Sequence, residues 1–220
     1  MIQEVFGGKI MLSERKWALI NWSRKETKIE SIFMPHIRLQ KFLFFYECFS
    51  KVESDEFSFE NLKGYKRGPV FSDVFGENKY NQEAFFSYVY QGDYFINESR
   101  AKRALFLTQI LGVNLSKFTH DLDIWKSKKN EIMRGDYQVS LFSSDFSESD
   151  SKIFLDLESM YSSEFIDSVK VFEANGKAFL FPKKYKFEDK YYDVIFEASI
   201  DEDFHSPIYM NVTNGEIIID

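Results

Sequence analysis

The 220-residue sequence is 44% hydrophobic, 18% aromatic and 29% charged, with a net charge of −7, the profile of a soluble globular chain with ample apolar material for a core. A single cysteine, Cys48, excludes an internal disulfide and any cysteine-based zinc site. No stretch approaches the roughly 20 apolar residues of a membrane span, and the opening MIQEVFGGKIMLSERKW lacks the basic start and apolar run of a leader, so a cytoplasmic location and no membrane partner are expected.

Residues 13–21, SERKWALIN, predict an opening helix with Ser13 as its cap. HIRLQKFLFFYECFSK, residues 36–51, is the strongest helix. Leu39, Phe42, Leu43, Tyr46 and Phe49 form one stripe, while Ile37 and Phe44 lie opposite. A helix apolar on both sides is expected at the centre of the fold, covered all round.

The stretch LKGYKRGPVFSDVF, residues 62–75, packs two glycines and a proline between basic and aromatic residues. Gly64 and Gly68 are too close for a phosphate loop, and Pro69 stands where a backbone donor would be needed. A turn with an unusual backbone at Gly68 and an exit fixed by Pro69 is expected. Ser72 is placed to cap a short helix after it. Residues 82–96, QEAFFSYVYQGDYFI, fit helix and strand alike.

Residues 97–112 read as a helix capped by Asn97 and stopped by Gly112. Arg100, Lys102 and Arg103 sit at its start, against the helix dipole; they are read first as solvated charges, with an acidic partner or local carboxylates offsetting the dipole as the alternative. LSKFTHDLDIWKSKKNEI, residues 115–132, follows, and a further helix fits residues 147–161.

From about residue 167 the period changes. Asn175-Gly176 and Asn214-Gly215 are hairpin signals, and YYDVIFEAS reads as a strand. Charge breaks near the same place. Residues 1–142 hold 21 Lys and Arg against 18 Asp and Glu, net +3, whereas residues 143–220 hold 7 against 17, net −10. The expected architecture is α+β: a mostly helical domain over residues 1–145, then an acidic, β-rich extension over residues 146–220.

The chemistry of catalysis is sparse. His36, His120 and His205 are scattered, and a metal held by His120, Asp121 and Asp123 lacks the usual spacing. Cys48 lies inside an apolar helix, where a thiol is inert. DFSESDS lacks the glycine of a calcium loop and reads as a loop with a helix cap. No cofactor and no metal are expected. An enzyme reading rests on the His120-Asp121 pair alone. A nucleic-acid reading would gather Lys66, Arg67, Arg100, Lys102, Arg103, Lys126, Lys128 and Lys129 on one face, with Tyr65 and Trp125 as stacking groups; the acidic extension opposes it.

Three stretches, LQKFLFFY (39–46), YKRGPVFSDVF (65–75) and LSKFTHDLDIWK (115–126), together and in order resemble the Panacea antitoxin domain, also seen in phage-associated proteins. The resemblance covers roughly residues 10–145. Departures are Gly64-Tyr65 for the usual Ala-Trp, Arg67 for an aromatic or His, and Ile124 for a Pro before Trp125. They bear on partner identity more than on the fold. The resemblance implies a mostly helical, non-catalytic protein that neutralises a cognate protein toxin encoded beside it, with a protease as a further partner where members act as adaptors. The Gly68-Pro69 corner is read first as an architectural turn that fixes the next helix, with direct partner contact as the alternative, and His120 and Trp125 carry the same two readings. On the contact reading the candidates are Tyr65, Lys66, Arg67, Gly68, Pro69, Val70, His120 and Trp125, with Lys66, Arg67, Arg100, Lys102 and Arg103 as candidate rim charges. The alternative is a phage or prophage regulator that binds nucleic acid.

Overall fold

A computed structural model describes residues 12–27, 36–136 and 138–219. Its first helix, α1 (Glu14–Glu26), begins at Ser13, whose hydroxyl accepts from the Lys16 amide. Next comes α2 (His36–Val52), in which every residue from Leu39 to Ser50 is buried. The expectation of a central helix therefore holds, and α2 is the axis round which the other helices pack.

A hairpin comes next, β1 (Leu62–Tyr65) and β2 (Gly68–Phe71), running directly into α3 (Ser72–Tyr80). Ser72 is not the cap of α3. It is the first helical residue, Phe71 occupies the cap position without a side-chain bond, and the Ser72 hydroxyl donates to the Asn61 carbonyl instead. The ambiguous stretch resolves into the short α4 (Gln82–Ser87) and irregular chain. Helix α5 (Glu98–Leu111) starts at Asn97, whose side chain accepts from the Arg100 amide, and ends at Gly112 with φ +46°, as the sequence predicts.

The stretch from residue 115 on forms three short helices, α6 (Leu115–His120), α7 (Asp123–Lys126) and α8 (Lys129–Arg134). The break is at Leu122, whose backbone is extended, and a distant carboxylate caps α7: Asp150 accepts from the amides of Asp123 (2.7 Å) and Ile124 (2.9 Å). Strand β3 (Val139–Ser140) then pairs with β1, giving a small sheet in the order β2-β1-β3.

Helix α9 (Glu148–Met160) opens with a capping box between Ser147 and Asp150. It packs Phe154 among Phe45, Phe49, Phe118 and Phe146, with ring centroids 5.1–6.4 Å apart. A phenylalanine buried this way contributes about 1.5–3 kcal/mol. The helical core thus runs on past residue 145.

After α10 (Ser163–Ser168) come β4 (Val169–Ala174), β5 (Lys177–Pro182), α11 (Tyr191–Ile200), β6 (Ile208–Thr213) and β7 (Glu216–Ile219). Both Asn-Gly hairpins form, with positive φ at all four turn residues. The stretch YYDVIFEAS is not a strand but α11. It connects β5 to a parallel β6, a pairing that needs a crossover element. The sheet order is β4-β5-β6-β7. Strand β5 is buried on both faces: Ala178 and Leu180 join the helical core, while Phe179 and Phe181 join a second core with Tyr191, Ile195, Ile208 and Met210. The β4–β5 turn also touches the helical part, since a Cβ on Gly112 would lie 2.8 Å from the Gly176 carbonyl oxygen. The α+β architecture is thus helices first and a four-stranded sheet last.

Candidate recognition corner

The β1–β2 hairpin turns through Lys66 and Arg67, with Tyr65 paired to Gly68 and Gly64 to Pro69. The positive φ falls on Gly68 (+100°), as the sequence reading expects. Pro69 donates nothing to the ladder, which β2 tolerates as an edge strand. Carbonyls on the inner side of such a turn would be buried without partners, at about 1–3 kcal/mol each. Side chains from elsewhere satisfy them. The Trp125 indole donates to the Tyr65 carbonyl (3.0 Å), the Ser116 hydroxyl donates to the Arg67 carbonyl (3.3 Å), and the Lys41 ammonium donates to the Pro69 carbonyl (3.0 Å). Gln40 completes the set: its amide oxygen accepts from the Phe71 N–H (2.8 Å), and its NH2 donates to the Phe71 carbonyl (3.4 Å).

The space beneath the turn is tight. A Cβ on Gly68 would run into Lys41 and Thr119, and one on Gly64 into Ile132. Lys41 is fully buried, and that burial pushes its pKa down to about 7. His120 stacks on Trp125 with centroids 4.0 Å apart. Burial, and then the charge on Lys41, holds the imidazole below its ordinary value. Its Nε2 has no hydrogen-bond partner among the described residues.

All eight residues marked for partner contact therefore meet at one corner, in two different roles. Lys66 and Arg67 are exposed at its tip, and Tyr65, Val70 and His120 are half-buried beside them. Gly68, Pro69 and Trp125 are buried and fix the backbone. Trp125 is thus a support and not a stacking surface for bases. Among the described residues, Lys66, Arg67, Lys117, Lys126 and Lys129 are exposed and in no ion pair.

The other rim charges are corrected. Arg100 and Arg103 are buried, and local carboxylates outweigh the unfavourable helix dipole. Arg100 donates to Glu53 (2.5 and 3.0 Å), Asp55 (2.9 Å) and Ser50 (2.9 Å). Arg103 reaches Glu53, Glu158 and the Tyr161 carbonyl. Lys102 pairs with Asp167 (3.0 Å). These cations join helices together and offer no common basic face. The same network contains Arg15, bidentate on Glu47 (2.7 and 2.9 Å), and both Arg15 and Arg100 lie over the Tyr46 ring.

Among the described residues no group of three His, Cys, Asp or Glu side chains is placed to hold a metal ion, and the His120, Asp121 and Asp123 combination is not assembled as a site. Burial pushes the Cys48 thiol well up, as expected of an inert cysteine. A shallow hollow lies where α3 meets α4, and no corner residue lines it. Sequence reasoning missed Gln40, Lys41, Ser116 and Thr119 as supports of the corner. They lie inside the first and third stretches that carry the resemblance, which is the signal that could have found them.

Comparison with protein-family models, curated proteins and solved structures finds no match to this chain. The resemblance rests on its three stretches.

Proposed function

We propose that the chain is a non-catalytic antitoxin that acts in the cytoplasm and neutralises a cognate protein toxin by direct binding at the Lys66-Arg67 corner. One observation carries this reading. The three stretches that resemble the Panacea domain are far apart in sequence, yet side chains of the first and third hold the backbone of the second. A backbone fixed in this way presents Lys66 and Arg67 at little further ordering cost, and preorganisation of that kind favours tight recognition. Tyr65 and Val70 supply apolar area beside the two cations. A protease that takes over the bound toxin belongs to the same proposal. The test is growth: the product of the adjacent reading frame should arrest cells alone, and co-expression of this chain should restore them. The double variant Lys66→Glu/Arg67→Glu should fold and fail to restore growth. A harmless neighbour, or full rescue by the variant, would sink the reading.

A second reading, binding of nucleic acid by a regulator, is favoured by the unpaired cations at the same corner. Phosphate contacts would make retention on DNA fall steeply with salt. Absence of retention at low salt removes it, and so far as base stacking goes the buried Trp125 offers nothing.

A further inference from the structure

The outer face of α11 is apolar and uncovered. Tyr192, Phe196 and Ile200 stand four residues apart and are 55%, 59% and 63% exposed, while Tyr191, Ile195 and Ala198 on the other side fill the second core. The exposed stripe spans about 12 Å along the helix. A second ladder runs one residue further on, Asp193, Glu197 and Asp201, with Asp189 before it and Glu202 and Asp203 after it. All six carboxylates are exposed, and among the described residues none is in an ion pair. Of the nearby cations, Lys190 pairs with Glu188, Lys177 donates to the backbone carbonyls of Ala198 and Asp201 at the end of α11, and Lys184 and Lys186 are exposed but in no ion pair with the six carboxylates. The acidic group at 201–203 lies at the C-terminal end of α11.

We propose that this face docks an amphipathic helix of a partner protein, with apolar residues seated along Tyr192, Phe196 and Ile200 and with lysines or arginines along the acidic ladder. Charge complementarity selects that occupant. A second copy of the chain, paired symmetrically through this face, would set one acidic ladder against the other. An anionic lipid surface would repel the same carboxylates. The inference goes beyond the toxin reading, since α11 belongs to a different core from the Lys66-Arg67 corner, and it holds for any partner of this chemistry.

The probe is a synthetic helical peptide of about 18 residues, leucine on one face and lysine on the other, titrated into the full chain by calorimetry. It should bind. Phe196→Ser should weaken it about tenfold or more, and so should Asp193→Asn with Glu197→Gln. Raising the salt from about 0.05 M to about 0.5 M should weaken it as well. Lys66→Glu should leave it unchanged, which separates this surface from the corner, and circular dichroism should show each variant folded. Absence of binding, equal binding by the Phe196→Ser chain, or equal binding of a leucine-glutamate peptide would overturn the proposal. So would self-association, or capture by phosphatidylserine vesicles, that is lost with Phe196→Ser.

Discussion

Arg15, Arg100 and Arg103 lie inside the helical core at 8%, 3% and 7% exposure, each held by carboxylates from another element. Lys66 and Arg67 stand in solvent on a turn whose backbone is fixed from below. The first group uses its hydrogen-bonding capacity to join α1, α2, α5 and α9. The second has that capacity free for something outside the chain. The difference comes from the bonding partners: Glu47, Glu53 and Asp55 converge on the interior arginines, and no carboxylate within ion-pair distance reaches the corner among the described residues.

The sharpest way to break this contrast is Arg15→Met. It strands Glu47, which is 2% exposed, and loss of one partner from a buried pair costs about 3–5 kcal/mol. Urea unfolding should show it, and the double variant Arg15→Met/Glu47→Leu should recover most of the loss.

Lys41 tests the same contrast beneath the corner. Its pKa falls from 10.5 unfolded to about 7 folded, so between those values the unfolded chain binds more protons and stability rises with pH. The penalty is present in full below pH 7 and gone above about 10.5. Lys41→Met should flatten this slope, on the order of a few kcal/mol overall, in urea midpoints taken across that range. An unchanged slope would place the titration elsewhere.

Gly68→Ala should cost about 1–3 kcal/mol through backbone strain alone, with the collision against Lys41 and Thr119 added, as thermal unfolding should reveal. At the small end, Lys66→Glu/Arg67→Glu should move stability by no more than about 0.5 kcal/mol. A larger loss by the same measurement would mean that the tip is structural after all.

Local signals in the sequence are legible wherever the physics is local. Ser13, Asn97 and Ser147 cap the helices they are expected to cap, because a cap needs only its own next turn. Both Asn-Gly turns form because positive φ costs little there. Arg100 and Arg103 mislead because Glu53 lies 47 and 50 positions away, beyond any helical period. Helix α11 misleads because it is apolar on two sides: Tyr191 and Ile195 face the sheet while Tyr192 and Phe196 face out, so its short run mimics a buried strand. The corner is visible as a turn, but periodicity alone does not tie Gln40 and Lys41 to it, since a helix buried all round gives no clue to which polar side chain serves which neighbour; only their place in the first of the three resembling stretches points to them.

Asp150 shows how closely the two ends of the chain depend on each other. Its carboxylate takes the first amides of α7, the helix that carries Trp125 to the hairpin, while its own helix leads on toward the acidic sheet. A truncation at residue 145, where charge and period suggest a clean cut, would delete that carboxylate and Phe154 with it. The shortened chain would keep every residue of the corner and lose the brace that holds it in shape.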